Sequence, residues 1–588
     1  MNYFLSPYIT EMLWRFADNP SQELEIAVKK AGEKLEEGHV CLDLRELAGR
    51  EWVSAEGNQL SVPSLQQWQD TLKNSGVVGG PGEYTPLILD SHLLYFHRYY
   101  EHERQVADFI NSRRGRYVAG LDLDKLRTGL SRFFPAESES NPGVDWQKVA
   151  AFLVLTGRFT VISGGPGTGK TTTVARIIAL LLEQNPARRI CLGAPTGKAA
   201  ARLQDSLVKA RSSLPADPIV LEAFPEKACT IHRLLGKVRG RLKFDRDNQL
   251  TADAVIIDEA SMVDLPLMAE LMAAIPERCS LVLLGDRYQL ASVQPGAVFA
   301  DICQGNTCSF TPKCSDLAQV CRVGRLPADS DDPRSDCLVE LQENYRFAGD
   351  SGIGLLSDLV KRGREEEATV LLVSHDQPGV SWLNLDLFPY SLINREIVSR
   401  TEGHSRRLTG IFHPKEVLSE MNRFVILCGL RRGPFGAINI NRLLEKSGDQ
   451  NLQRVFYHGR PLMVSKNDYK RELYNGDTGI VCRDPARGGE LRCFFPDRQE
   501  GINPLQLPEH EAAFAMTVHK SQGSEYDHIL LILSDTSSAI FTRELLYTGI
   551  TRARCSVEIW SSPRVFRETV GRGTSRRSGL SARLNSAK

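Results

Sequence analysis

Net charge is missing from this chain: 72 Lys and Arg stand against 72 Asp and Glu over 588 residues. With no overall basic field, any site for a polyanion must be a local groove. Long apolar runs are also missing; none approaches 18 residues, and the opening MNYFLSPYITEMLWRFADNP has no basic segment followed by an apolar core. Neither secretion nor a membrane span is therefore expected, and a cytosolic enzyme is the default. The 13 cysteines include no CxxC pair. Their one cluster, Cys303, Cys308, Cys314, Cys321 and Cys337, lacks zinc-ligand spacing and reads as reduced thiols. The length suggests roughly three or four domains.

The most informative stretch is FTVISGGPGTGKTTTV, residues 159 to 174. An apolar strand (Phe159, Val161, Ile162) enters Gly164-Gly165-Pro166-Gly167-Thr168-Gly169-Lys170-Thr171, and an apolar helix follows from Ala175 to Leu182. Strand, glycine-rich turn and helix in that order predict a P-loop, in which backbone N–H groups converge on phosphate oxygens at a helix N-terminus. Lys170 can reach the β- and γ-phosphates, and the Thr171 hydroxyl is the expected Mg²⁺ ligand. Binding of a nucleoside triphosphate is the first functional expectation.

Residues 1 to about 115 carry no catalytic signature. Glu23 to Glu37 has helical periodicity, HVCLDLREL reads as a short strand entering a helix, and the stretch ending HERQVADFI is an amphipathic helix. The aromatics Tyr95, Phe96, Tyr99 and Tyr100 sit at mixed spacings, which favours packing of a small α-rich domain over a base-stacking platform. FFPAESESNPGVD, 133 to 145, reads as a linker. Strands then alternate with helices, as in a parallel sheet covered on both faces. ICLGAPTGKAAARL repeats strand, loop and helix, and VRGRLKFDRDNQL (238 to 250) suggests a hairpin whose basic residues could be a solvated surface.

AVIIDEASMVD (254 to 264) places Asp258 and Glu259 at the C-terminal end of a buried strand, where open α/β sheets bind ligands. Asp258 suits Mg²⁺ and Glu259 suits polarising the attacking water; the competing reading is a pair of helix-capping carboxylates. Another buried strand leads to Asp286 and Gln289, a candidate γ-phosphate sensor. The segment 303 to 337 reads as a polar, irregular insertion. A second α/β region follows without a P-loop, containing a strong turn signal at Asn475-Gly476-Asp477-Thr478-Gly479 and a helix carrying Arg552 and Arg554. Arginines from a second lobe could stabilise a transferring phosphoryl group, or could be ordinary surface ion pairs.

In order, GGPGTGKT, APTGKAAARL, TIHRLLG, IIDEASMVD, LLGDRYQLASVQPG, LQENYRF, TVHKSQGSEYD and YTGITRAR resemble the motifs of superfamily 1 DNA helicases of the 5′-to-3′ class. HVCLDL, LYFHRYYEHE, SGIGLLSDL, LRRGPFGAIN, GRPLMVSKNDY with LYNGDTG, and RRSGLSARL narrow the resemblance to the RecD family, the α subunits of exodeoxyribonuclease V (RecBCD). The resemblance implies an α/β fold with two RecA-like P-loop NTPase-type helicase domains, a small α-rich N-terminal domain and small β insertions. It divides the chain into a partner-docking domain (1–115), a linker (116–145), RecA-like domain 1 (146–340, hairpin insertion near 238–250), RecA-like domain 2 (341–562, β insertion near 455–510) and a basic tail (563–588).

The same resemblance assigns roles. Gln147 would read adenine; Gly164, Gly165, Pro166, Gly167, Thr168, Gly169, Lys170, Thr171 and Thr172 would hold ATP. Thr171 and Asp258 would hold Mg²⁺, Glu259 would activate water, Gln289 would sense the γ-phosphate, and Arg346 and Arg552 would be arginine fingers. Thr196, His232, Thr517, Val518 and His519 would line a single-strand groove. Gly549 departs from the family's usual alanine, and the 303–337 cysteines are not a family hallmark. The tail from Arg564 to Lys588 has seven basic residues against one acid, Glu568, and could touch DNA or a partner or be a solvated tail.

The implied function is an ATP-driven 5′-to-3′ DNA helicase and single-strand translocase, working at duplex DNA ends beside RecB-like and RecC-like subunits in double-strand-break repair. No separate carboxylate cluster of nuclease type stands out, so strand cutting would belong to a partner. A bacterial cytoplasmic, nucleoid-associated location is implied. A stand-alone helicase of the same superfamily on DNA or RNA, and an ATP-gated DNA clamp, are the alternatives.

Overall fold

The computed structural model describes residues 5–586 apart from 54–58, 136–143, 239, 306–307, 348–350, 375, 448–454, 469, 497 and 499. Most of the 133–145 linker stretch lies outside the described residues.

The N-terminal part is more mixed than its helical periodicity suggests. It contains β1 (Leu42–Asp43), the small ribbon β2 (Glu51–Val53) with β3 (Gln59–Ser61), and β4 (Val78–Gly79), β5 (Leu87–Asp90) and β6 (Leu93–Phe96). A sheet in the order β1-β6-β5-β4 packs with helices Gln22–Glu36 and Leu65–Lys73 around Leu24, Leu72, Leu87 and fully buried Trp68. Strands of two to four residues carry too short an alternation to stand out from flanking helical signal. Tyr95 and Tyr100 are buried edge to face, so those aromatics are packing groups.

The first α/β lobe holds β7 (Phe159–Gly164), β8 (Ile190–Ala194), β9 (Ala228–Thr230), β10 (Ala254–Ile257), β11 (Ser280–Gly285) and β12 (Leu338–Leu341) in the order β12-β7-β11-β10-β8-β9, every pairing parallel. Side chains alternate between two cores: Phe159 and Val161 enter one, Ile162 the other. β7, β10 and β11 therefore end together, and their C-terminal loops build the cleft described below.

Two local expectations change. Residues 303–337 include the helix Pro312–Val320, capped by Thr311, and bury Phe310 with all five cysteines of the cluster. These thiols act as small apolar side chains, and no metal-binding group of His, Cys, Asp or Glu occurs among the described residues. Polar letters around them concealed a core element. The 238–250 segment forms one antiparallel bridge, Val238 to Arg241, and then a turn in which the Asp245 carboxylate accepts from the Asp247 and Asn248 N–H groups. Those side-chain bonds replace a second stretch of ladder; Arg239 lies outside the described residues.

The second lobe contains β13 (Val380–Asn384), β14 (Phe424–Cys428), the antiparallel insertion β15 (Arg460–Val464), β16 (Thr478–Asp484), β17 (Glu490–Phe494) and β18 (His510–Ala512), then β19 (Ala515–Thr517), β20 (Tyr526–Ile532) and β21 (Ala553–Ser561). Its main sheet runs β13-β21-β20-β14-β19, all parallel. The tail is folded rather than frayed. Helix Pro563–Gly571 packs on the second lobe, residues 572–579 cross to the first, and helix Leu580–Ser586 lies against helix His97–Asn111. Its arginines meet acids and carbonyls of the chain itself: Arg583 reaches Glu103 and Asp90, Arg577 reaches Glu46, and Arg576 donates to the Gln294 and Gly296 carbonyls.

Candidate nucleotide and nucleic-acid site

Between the lobes lies a cleft of about 310 Å³, and its floor is the turn joining β7 to helix Lys170–Gln184. Gly167 and Gly169 have φ of +85° and +77°, which a side chain would strain. Space forbids one too: a Cβ on Gly167 would fall 2.4 Å from Arg346 Cβ, and one on Gly169 2.4 Å from Gln147 Nε2. Lys170 Nζ donates to the Gly164 and Gly165 carbonyls at 2.6 and 3.0 Å, and Thr168 Oγ1 closes the turn on Gly165 O. Gln147 flanks the turn, donating to Thr168 O and accepting from Arg176. Burial lowers the Lys170 pKa, opposed by the negative charges of Asp286, Glu259 and Asp258.

Asp258 and Glu259 leave the end of β10. Burial, then repulsion from Glu259, raises the Asp258 carboxyl, while Lys170 pulls it back. Glu259 sits in the left-handed region at φ +51°, an uncommon conformation for a side-chain-bearing residue and one concentrated at functional sites. Asp286, at the end of β11, is fully buried and accepts from Tyr547 Oη (3.0 Å), Gln289 Nε2 (3.1 Å) and the Tyr288 N–H (3.0 Å).

The other wall is basic. Glu525 takes Arg202 from the first lobe, Arg346 Nη2 at 2.8 Å and Arg554 Nε at 3.3 Å. Arg346 is lowered to about 10 by burial and by Arg202, Arg552 and Arg554, so it remains a cation at neutral pH. Arg346 Nη1 and Arg552 Nη2 are buried donors without a partner. Such groups cost about 1–3 kcal/mol each when left unpaired, and a polyphosphate would satisfy both. The Thr171 hydroxyl and Asp258 carboxylate beside them are hard oxygen donors of the kind Mg²⁺ takes.

Pro166, Gly167, Gly169, Lys170, Thr171, Thr172, Asp258, Glu259, Gln289, Arg346 and Arg552 thus line one cleft, with Gly164, Gly165 and Thr168 forming the turn beneath and Gln147 at its side. The nucleic-acid candidates lie elsewhere. Thr196 caps helix Gly197–Arg211, its hydroxyl accepting from the Ala199 N–H. His232 is exposed on the short helix Ile231–Leu234. Thr517 ends β19 and lines a cleft of about 340 Å³ with Lys520, while His519 is half-buried. The Val518 side chain is fully buried in the second lobe's core, which leaves its backbone to meet a strand.

Family models match three parts of the chain: "AAA domain" at 147–295, "UvrD-like helicase C-terminal domain" at 512–558 and "RecBCD enzyme subunit RecD, N-terminal domain" at 5–95. Curated relatives include "RecBCD enzyme subunit RecD" of Mycolicibacterium smegmatis, 35% identical over 99% of this chain and 97% of the relative. The Haemophilus influenzae protein of the same description is 31% identical over 88% of this chain and 84% of its own. The chain belongs to the RecD family. It is an ATP-dependent DNA helicase component of the RecBCD type. A more distant relative, the "ATP-dependent RecD2 DNA helicase" of Deinococcus radiodurans, is 26% identical over 71% of this chain and 49% of its own length.

Within this RecD-family chain, the two lobes are joined at this cleft by groups the sequence did not single out. Tyr547 bridges to Asp286, and a Cβ on Gly165 would sit 2.9 Å from its hydroxyl. The Leu290 N–H donates to Thr548 Oγ1 at 2.9 Å, and Gln522 Nε2 donates to Leu290 O at 3.0 Å. The residue after Gln289 is therefore held from both directions by the second lobe. Glu525 and Tyr345, which lies against the turn through its N–H to Gly167 O, were also missed. Both stand inside recognised motifs, SQGSEYD and QENYRF, but an acid among arginines gives no periodic signal. Gly549 has a packing reason, since a Cβ there would lie 3.0 Å from Leu531 Cδ2.

Proposed function

We propose that this chain is a 5′-to-3′ single-strand DNA motor that works at duplex ends beside RecB-like and RecC-like subunits, its strand cutting supplied by a partner. Bound ATP with Mg²⁺ supplies the phosphoanhydride whose cleavage drives the cycle. Lys170, Arg346 and Arg552 hold the polyphosphate, Thr171 and Asp258 hold the metal ion, Glu259 orients and deprotonates water, and Gln147 recognises the base. Gln289 reports the state of the γ-phosphate. Thr196, His232, Thr517, His519 and the Val518 backbone contact the strand. The N-terminal domain meets the partners, which accords with its lack of catalytic groups.

The observation that carries this reading is the double hold on Leu290, one residue from Gln289, by Thr548 and Gln522 of the second lobe. A change sensed at the γ-phosphate moves the contact between lobes, and alternate closing and opening over a gripped strand is translocation. Forked duplexes with only a 5′ or only a 3′ tail, unwound with and without co-expressed partners, test it. Unwinding only from the 5′ tail is expected, and unwinding only from the 3′ tail refutes the polarity. Lys170→Gln should abolish turnover; intact unwinding by that variant, or no stimulation of hydrolysis by single-stranded DNA, sinks the motor and leaves the clamp. The second reading is a stand-alone helicase of the same superfamily, which accords with the 26% likeness to a protein described as an ATP-dependent DNA helicase. Processive unwinding by the purified chain alone, with no large subunits co-purifying, would establish it.

A further inference from the structure

The C-terminal edge of the second lobe's sheet carries a cleft of about 740 Å³ that the nucleotide site does not use. Phe388, Tyr390 and Phe435 stand on its walls with Arg432 and Arg442. It adjoins the smaller cleft of Thr517 and Lys520, because Ile438 and Arg442, on helix Ala437–Ser447, line both. β14 and β19 are paired up to Cys428 and Thr517, so the loop that follows β14 and forms this wall rises beside Thr517 itself.

Its chemistry is specific. Phe388 and Tyr390 are 44% and 40% exposed, unusual for large aromatics held on a structured wall. Tyr390 is fixed: its hydroxyl donates to Pro434 O at 3.1 Å and accepts from Asn439 Nδ2 at 2.8 Å, and its ring meets Phe435 edge to face at 5.6 Å. A pinned ring loses little further freedom when a ligand stacks on it. Arg432 and Arg442 are exposed and belong to no ion pair of the described residues, and Asp535 is the sole acid among the lining residues. A fixed tyrosine and a second exposed aromatic beside unpaired guanidiniums are the elements of a single-strand stacking platform.

We propose that this cleft is a nucleobase subsite, in which an unpaired base of the strand leaving Thr517 stacks on Tyr390 and Phe388 while Arg432 and Arg442 hold the flanking phosphates. The inference rests on the reading of Thr517 as part of the strand groove, with Lys520 lining the same cleft. Continuity with that groove and the two free cations favour a nucleic acid over a protein side chain.

The test measures binding of the full chain to a thymidine 20-mer and to an abasic 20-mer of equal charge, by fluorescence anisotropy over a salt series. Tyr390→Ala should weaken the thymidine strand by about 5- to 150-fold and leave the abasic strand unchanged. Arg442→Gln should weaken both and reduce the salt slope by about one. Tyr390→Phe should bind within a few-fold of the unaltered chain, which together with unchanged DNA-free ATP hydrolysis shows that the fold is intact. If Lys520→Ala leaves both strands bound as before, the groove reading itself fails. If Lys520→Ala weakens binding while Tyr390→Ala and Arg442→Gln do not, or Tyr390→Ala weakens both strands alike, the subsite is refuted. Normal DNA binding by Tyr390→Ala with loss of a co-purifying subunit overturns it in favour of a protein-docking face.

Discussion

Arg583→Met should undock the C-terminal helix in a pH-dependent way. Glu103 is fully buried on helix His97–Asn111, where it accepts from Arg583 Nε (3.0 Å), the Gly579 N–H (3.1 Å) and Tyr95 Oη (3.2 Å). Arg583 also reaches Asp90 at 2.8 Å and lies 4.4 Å over the Tyr100 ring. Methionine retains the stem and removes the cation, leaving a buried carboxylate with two neutral donors. Breaking one side of a buried pair costs about 3–5 kcal/mol, roughly 100- to 4,000-fold in the docking equilibrium. Burial already raises the Glu103 pKa above 4.5 despite Arg583, and without that arginine it rises further. For an acid with a raised folded pKa, stability is greatest below the unfolded value and is lost as pH climbs through the folded one. The penalty of the variant should thus be small near pH 4.5 and full at pH 8. Native-state hydrogen exchange of 97–111 and 580–586, corrected for intrinsic rates, reads the local opening without assuming that so large a chain unfolds in one step. Adding Glu103→Gln should recover most of the loss at pH 8. An equal penalty at both pH values, or a double variant no better than Arg583→Met, refutes the account.

Thr548→Val keeps the shape of a fully buried residue but removes the acceptor of the Leu290 N–H, an unpaired group costing about 1–3 kcal/mol. Stimulation of ATP hydrolysis by single-stranded DNA should fall while binding of a fluorescent nucleotide persists; undiminished stimulation shows that this bond does not couple the lobes. Asp301, which accepts from Ser578 Oγ at 2.7 Å, has its carboxyl raised to about 7 by burial. Its charge therefore opposes folding as pH rises from about 4 to 7, so Asp301→Asn should protect the crossing segment at pH 8 by up to about 4 kcal/mol and change nothing at pH 4. Exchange rates of residues 576–582 at the two pH values check this, and a variant less protected at pH 8 contradicts it.

That the candidate residues share one cleft was legible because its determinants are contiguous. The turn from Gly164 to Thr171 and the Asp258-Glu259 pair each follow an apolar strand, and a parallel sheet brings strand ends together. Arg346 and Arg552 stayed open between phosphate contacts and surface ion pairs until the family resemblance assigned them, since nothing local says that a guanidinium will face a P-loop so far away in the sequence. Tyr547, Thr548 and Glu525 escaped notice for the same reason: their partners, Asp286, Leu290 and Arg202, are on the other lobe. The tail misled because charge was counted without its complement. Arg577 and Arg583 look solvated in a row of basic letters until Glu46, Asp90 and Glu103 are placed beside them, and Arg576 until the Gln294 and Gly296 carbonyls are.

Those contacts also show how the two ends of the chain bear on the cleft between its lobes. Thr574 is fixed to the second lobe, its N–H and hydroxyl donating to Glu544 at 2.9 and 2.7 Å. Two residues later Arg576 is fixed to the first lobe through the Gly296 carbonyl at 2.8 Å, and Arg577 continues onto the N-terminal domain by donating its N–H to His39 Nδ1. Two residues span at most about 7 Å when extended, and the Arg576 side chain adds its own length, so the slack between the anchors is bounded by this reach. A lobe rotation larger than that slack must break the Thr574–Glu544 or the Arg576–Gly296 contact, whereas a smaller one strains neither. The fold thus permits closure at Gln289 and Thr548 while charging a wide opening with the loss of bonds on the far side of the molecule.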